Sequence, residues 1–363
     1  MTQLLQRIEL LLQIECDAIK RAQLIARKGI YLARIGRFDE ARAITVELRA
    51  TFGAGQSARV TIWLMLLEGV YLLYQDINPA AIDRVRRAQF LSLAIKDKDL
   101  TCITSAWKAH LEFEGSDFPA MTASLLIAIE NSATNSHDGL ARLSMVMADA
   151  LFLCGDRKRA QYWFMRSRSH AIDAGDQATT EALLYNRAAF GTAWLRSEQC
   201  FAAVNFRDIA LIRLEVSSAR NFQEMTKISA FSHLIALCDA RLLIIESKFE
   251  EAMFALKAVR DSGPFAKYNF DQDLIDLELV YCLQMIGRTE DALEVFGRIK
   301  GNDFSGLDVD DRLVSSWLKS ALCSSNQRFG DAVLGLCQLE ALRDEYRKSR
   351  FAIQTLLTQV SDD

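Results

Sequence analysis

Gly36-Arg37-Phe38-Asp39-Glu40-Ala41 reads as a tight turn running into a helix start, and the same chemistry returns as Gly155-Asp156-Arg157-Lys158-Arg159-Ala160. It returns again as Ser247-Lys248-Phe249-Glu250-Glu251-Ala252 and Gly287-Arg288-Thr289-Glu290-Asp291-Ala292, with weaker copies beginning at Asp76, Gly115, Ser197 and Gln327. The anchors at 36, 76, 115, 155, 197, 247, 287 and 327 are separated by 40, 39, 40, 42, 50, 40 and 40 residues. A fixed stride of this length is the mark of stacked supersecondary units. In each copy a Gly or polar residue ends one helix. The acidic or hydroxyl-bearing residues that follow suit the positive end of the next helix dipole.

Working outward from the turns, a small residue stands five positions after most anchors, at Ala41, Ala81, Ala120, Ala160, Ala202, Ala252, Ala292 and Ala332. A second small residue often stands seven before, at Gly29, Gly69, Ala148, Ala240 and Ser320. Two antiparallel helices approach closely only where neither carries bulk at the crossing, so the two sets belong to one seam. Large apolar residues continue it four before the anchor (Leu32, Leu72, Leu151, Leu243, Leu283) and nine after (Val85, Phe164, Leu256, Phe296, Leu336). Pro79 and Pro119 fall in the first turn of a second helix, where a missing N–H is harmless, and Pro264 falls between copies. The third and fifth copies put Lys108 and Phe190 where a small residue is expected, unless their register slips by one.

This order of small residue, large apolar residue, turn and alanine resembles the tetratricopeptide repeat, over residues 18 to about 346 and with a period near forty. The resemblance implies an all-α chain wound as a right-handed α-α superhelix of about eight antiparallel helix pairs. Residues 1–17 then form an N-terminal capping helix, 18–346 the eight pairs, and 347–363 a C-terminal capping segment and short tail. The terminal helices are also where a homodimer would form. The long fifth interval contains Ser217 to Gln223, which reads either as a hinge or enlarged loop between two halves of the superhelix or as part of a longer helix.

Composition agrees with the helical class: 50% hydrophobic residues, 25% charged and only three prolines. The formal net charge of −4 lacks the basic footprint that phosphate backbones require. No stretch of 18 apolar residues is present, so no membrane span is expected. Eight cysteines without a C-x-x-C pair fit buried thiols in a reducing cytoplasm. No phosphate loop, nucleophile elbow or dinucleotide fingerprint occurs. The histidines, His110, His137, His170 and His233, lie far apart with none at i, i+3 or i+4 from another, so no cofactor or metal is expected.

In the family resembled, the first helix of each pair lines the concave face, at about three, six, ten and thirteen residues before the anchor. Carried onto this chain, those positions and their neighbours nominate Arg34, Trp63, Tyr74, Arg142, Asp149, Asn186, Arg187, Arg241, Tyr281 and Trp317 as a binding surface. Apolar anchors with isolated Arg and Asn groups suit a protein or peptide segment bearing carboxylates. The competing reading is that a tightly wound superhelix buries these side chains against its own neighbours. Arg157, Lys158, Arg159, Arg166, Arg168 and His170 form a basic run on the second helix of the fourth copy, expected on the outer face.

The function expected is a non-catalytic cytoplasmic scaffold. A ligand- or peptide-sensing regulator acting through a separate effector is the alternative, tested by metabolite-induced melting shifts. An α/α toroid enzyme is the lesser one, distinguished by a sealed ring of helices around buried carboxylates.

Overall fold

The computed structural model describes residues 2–53, 55, 57–133, 136–226, 232–262, 272–299, 304, 306–325 and 332–360, with the backbone alone at 232, 323–325 and 332–338. Among the described residues there are seventeen helices and no strand. A first helix, α1 (Gln3–Ile14), precedes α2 (Ala18–Arg34), α3 (Phe38–Phe52), α4 (Ala58–Asp76), α5 (Ala80–Ala94), α6 (Lys98–Glu114), α7 (Phe118–Glu130), α8 (His137–Leu153) and α9 (Arg157–Ala174). There follow α10 (Gln177–Gln199), α11 (Phe206–Thr226), α12 (Ser232–Ile245), α13 (Phe249–Asp261), α14 (Gln272–Met285), α15 (Thr289–Phe296), α16 (Val309–Ser325) and α17 (Ala332–Leu357). No described helix is long and apolar enough to cross a membrane.

The turns explain why the stride is legible. Gly36, Gly155, Ser247 and Gly287 are left-handed, at φ +80°, +88°, +61° and +80°. The residue after each donates its N–H back to the carbonyl of Leu32, Leu151, Leu243 or Leu283, at 2.9 Å in all four. This is the Schellman closure, which satisfies a carbonyl the helix end would otherwise strand. The residue four before the anchor thus has two roles: its side chain fills the seam and its carbonyl closes the turn.

The weaker copies show the slip. In the third, the left-handed residue is Ser116 (φ +57°) and Asp117 closes onto Glu112 at 2.8 Å, one position late. Ala109 and Met121 are accordingly buried in place of Lys108 and Ala120. Lys108 reaches instead to Ser124 Oγ (2.8 Å) and Glu112 (2.7 Å). In the fifth, the turn expected at Ser197 is absent: α10 continues to Gln199, and Ala202 is exposed in the connection before α11. Gly191 is the small residue at that crossing, since a Cβ there would lie 2.4 Å from Ile212 Cδ1. The extra residues of the long interval lengthen helices, with Ser217 to Gln223 inside α11. The anchor at Gln327 and Pro264 lie outside the described residues.

At the second copy the seam is as expected. A Cβ on Gly69 would lie 2.6 Å from Val85 Cγ2 and 3.2 Å from the Ala81 carbonyl oxygen, so seven-before meets five-after. Pro79 caps α5, and Pro119 occupies the first turn of α7. Asp17, Asp97, Asp117, Asp156 and Asp176 each accept a backbone N–H two or three residues on, the usual cap of a helix start.

The chain divides into two compact units, one comprising Met1–Leu183, Phe222–Ala230 and Ile353–Asp363 and the other Leu184–Asn221 and Phe231–Ala352. In the first, α2 packs on α3 and α4, α4 on α5, α6 on α7 and α8, and α8 on α9. α1 covers α2, burying Leu4, Leu5, Ile8 and Leu12. Its polar groups also reach far along the chain: Gln3 N–H donates to Gln177 Oε1 (3.4 Å) and Arg7 to the Asp173 carbonyl (2.6 Å). Arg27 pairs with Asp138 at 2.5 Å. In the second unit, α12 packs on α13, α13 on α14 and α14 on α15 and α16, around Leu277, Val280, Leu283 and Leu313. α17 passes residue 347 without a break, so the C-terminal segment is the continuation of the last helix.

Candidate functional site

The first unit contains a narrow cleft whose walls come from α1, α2, α4, α6, α8 and the turn between α9 and α10. It brings together three nominated residues, Arg34, Trp63 and Arg142, and adds Trp107, Asp176 and Thr179. Only about 30 Å³ is open to the centres of water molecules. That is room for one or two waters, not an enclosed small molecule.

Arg34 is set by a sharp corner. Gly175 (φ +73°) ends α9, Asp176 donates its N–H to the Ala171 carbonyl at 2.8 Å, and the same residue caps α10 through Thr179 N–H at 2.9 Å. Fixed at both ends, the Asp176 carboxylate accepts from Arg34 Nη1 at 2.7 Å. Arg34 Nη2 donates to the Thr179 hydroxyl (2.6 Å), which donates onward to Asp176 (2.7 Å). Burial alone raises the carboxyl pKa. The Arg34 charge and hydrogen bond, with those of Thr179, outweigh burial and hold it below the usual range. The same pairing overcomes burial at Arg34 and raises its pKa.

Arg142 is different. Only 2% exposed, its guanidinium carbon lies 3.8 Å from the Trp107 ring centroid and Nη1 reaches the Met145 sulfur at 3.8 Å. Nη2 is buried with no hydrogen-bond partner in the protein. Burial pushes its pKa down to about 10, Arg34 adding to the effect, while Tyr74, through its charge and a side-chain hydrogen bond to the guanidinium, and Asp176 oppose it, so it stays cationic at neutral pH. Arg34 Nε and His110 Nδ1, on residues that flank the same indole, are also without a hydrogen-bond partner. Burial first, then the charges of Arg142 and Arg34, drive the His110 pKa well below its usual value, so the ring is neutral. It meets Trp107 edge to face at 5.7 Å. Tyr74 meets the same indole at 6.5 Å. Asp149 is buried on α8 seven residues beyond Arg142, outside the cleft lining. Buried polar atoms are nearly always paired, so three orphans around one indole mark the site chemically.

The second unit gathers Arg241 and Trp317 around a polar knot, with Tyr281 alongside Trp317 at 5.6 Å. Glu278, 1% exposed, accepts from Arg241 Nε at 3.1 Å and from Arg196, which also pairs with Asp311 at 3.0 Å. Two cations are matched by two carboxylates, and the space left is about 10 Å³, enough for a single water. Arg187 pairs with Glu215 of α11 at 2.6 Å, with Asn186 half-buried beside it on α10. For these arginines, packing inside the unit is the better description than an open wall.

The basic run on α9 is partly absorbed as well. Arg166 stacks on Trp163 at 4.6 Å and Arg157 on Phe152 at 5.7 Å, while Lys158 and Arg168 are exposed. The expectation that the histidines stand apart fails for two of them: His137 Nδ1 and His170 Nδ1 are 3.2 Å apart. The described cysteines are free thiols, Cys102, Cys200, Cys238 and Cys282 being buried and Cys16 exposed. The chain matches no protein-family model, and no curated protein matches it.

Proposed function

We propose that this chain is a non-catalytic scaffold of the tetratricopeptide-like kind, in which the cleft of the first unit receives an acidic group of a protein or peptide segment. The observation that carries this is Arg142: a buried guanidinium, stacked on an indole, with one nitrogen unpaired while its neighbour Arg34 has a carboxylate of its own. A buried unpaired donor of a charged group costs several kcal/mol, and an incoming carboxylate is the group that best relieves it. The small free volume fits this size of group, an aspartate or glutamate side chain or a chain terminus, with the rest of the segment lying outside. Trp63, Tyr74 and Trp107 supply the apolar surface around the charge.

On this reading the helix pairs wind as a right-handed superhelix in the cytoplasm, and no chemistry is performed on the partner. Pre-ordering of the cleft by the Arg34, Asp176 and Thr179 bonds reduces the ordering cost of association. The test is affinity capture from source-cell extract with wild type, Arg142→Ala and Arg241→Ala, together with arrays of peptides carrying free or amidated C-termini. Arg142→Ala is expected to lose the acidic partners while remaining folded by circular dichroism, and Arg241→Ala to lose stability first. Equal capture by wild type and Arg142→Ala would refute the role given to this cleft.

A further inference from the structure

We propose that His137, His170 and Asp173 form a binding site for a divalent transition metal ion, zinc above the others, clasping the start of α8 to the end of α9. Their ligand atoms all lie within 4.8 Å of one another. The two imidazole Nδ1 atoms face each other at 3.2 Å, and Asp173 Oδ2 is 3.9 Å from His137 Nδ1. A tetrahedral zinc with bonds of about 2.0–2.1 Å to nitrogen needs its nitrogens about 3.3–3.4 Å apart, so the imidazoles are already close to the edge length of that polyhedron. Asp173 follows His170 by three residues on one helix, which puts both on the same face. The Asp173 oxygen must close in by roughly 1 Å to complete a third vertex of that polyhedron.

The chemistry of the set selects the ion. Two imidazoles and one carboxylate suit zinc and its late first-row neighbours, whereas calcium and magnesium require nearly all-oxygen shells. His137 and Asp173 keep substantial exposure, 36% and 53% of the side chain, so a water completes the fourth position and ions enter without any opening of the fold. Arg7 donates to the Asp173 carbonyl at 2.6 Å and fixes the backbone from which that ligand projects. Asp138, next to His137, is held by Arg27 and does not compete.

Arg166 and the positive end of α8 work against a cation, while the carbonyl end of α9 favours one. The expected affinity is therefore micromolar, well short of a closed structural zinc site.

The probe is zinc sulfate alone, titrated at pH 7.5 into the untagged full chain after chelator treatment, in competition with a chromogenic chelator. One equivalent is expected to bind. His137→Ala and His170→Ala should each weaken binding at least about tenfold, Asp173→Asn less so, and His233→Ala not at all. Cobalt in place of zinc should give the intense visible bands of a tetrahedral site, lost in the histidine variants. Zinc should also raise the melting temperature of wild type and leave that of His137→Ala unmoved, a readout that needs no assumption about the partner. Circular dichroism confirms that each variant is folded, and the isosteric Asp173→Asn supplies a second folded test. Absence of stoichiometric binding would overturn the proposal. So would undiminished binding in both histidine variants, which would place the metal elsewhere, as at the exposed Cys16.

Discussion

Replacing Asp176 by alanine removes one carboxylate that does two jobs, and the structure sets the size of the loss. The side chain caps α10, where loss of a capping oxygen costs about 1 kcal/mol. It also neutralises Arg34, only 7% exposed, and stripping a buried ion pair of one partner costs about 3–5 kcal/mol because the other charge is left uncompensated. Because one group makes both contacts the two figures overlap, and the expected destabilisation is about 4 kcal/mol. Against the 5–15 kcal/mol typical of a domain, that leaves the first unit marginal. The assay is hydrogen exchange read on α2 and α10 peptides across a urea series, since Trp63, Trp107 and Trp163 of the first unit and Trp194 and Trp317 of the second mix in total fluorescence. The double variant Arg34→Met/Asp176→Ala should be clearly more stable than Asp176→Ala, because Arg34 is then not left as an uncompensated buried cation. The pH dependence has a fixed sign. The folded pKa is depressed, so the carboxylate's contribution is whole above its unfolded value of about 3.9 and is lost as pH falls through the lower folded one. A loss below about 1 kcal/mol in Asp176→Ala, or a double variant no better than the single, would refute the reasoning.

Three shorter expectations accompany it. Glu181, buried and accepting from Gln223 Nε2 at 3.0 Å, has its pKa raised by burial to about 7, with Gln223 and Arg34 opposing. A raised folded pKa gives a contribution present below the ordinary glutamate value and lost as pH climbs through about 7, so Glu181→Gln should stabilise at pH 8 by on the order of 2 kcal/mol and not at pH 4. Urea titrations at the two pH values check it, and an equal gain at both would contradict the assignment. Glu278→Ala orphans Arg241 and leaves Arg196 with Asp311 alone, and should cost about 3–5 kcal/mol, read as faster exchange in α14; a change under about 1 kcal/mol would make the knot dispensable. Gly191→Ala drives a methyl to 2.4 Å from Ile212 Cδ1 and should cost about 1–3 kcal/mol, with Ile212→Ala recovering part of it in the same chain; simple additivity would place the collision elsewhere.

The helical class and most hairpin positions were readable because the turn chemistry is local. A left-handed glycine or serine, a closing leucine carbonyl and, at α3, α13 and α15, acidic residues in the first turn all lie within about ten residues, and each leaves its own residue type in the sequence. Where the left-handed position is taken by Ile77 or Ser116 the signal fades, and the register of the third copy moves by one with Ser116. The site was half legible. Arg34, Trp63 and Arg142 follow from helical phase, but nothing in the phase shows that Asp176 meets Arg34 across 142 positions or that Trp107 lies under Arg142. Phase likewise nominates Arg241 without showing that Glu278 already occupies it. The histidine pair escaped because a search along one helix cannot see a contact between the far ends of a hairpin, although His170 and Asp173 did stand three apart.

The bonds that reach from α1 and α2 to residues 138, 173, 176, 177 and 179 bear on how the first unit comes apart. A strictly linear array loses its terminal modules one at a time, each neighbour boundary melting in turn. Here the amino-terminal helices are stitched to residues far along the chain in the same unit, so fraying at Gln3 must break its bond to Gln177 as well. Dismantling becomes concerted, and assembly must wait for a chain closure of well over a hundred residues, which slows the refolding nucleus relative to neighbour-only stacking.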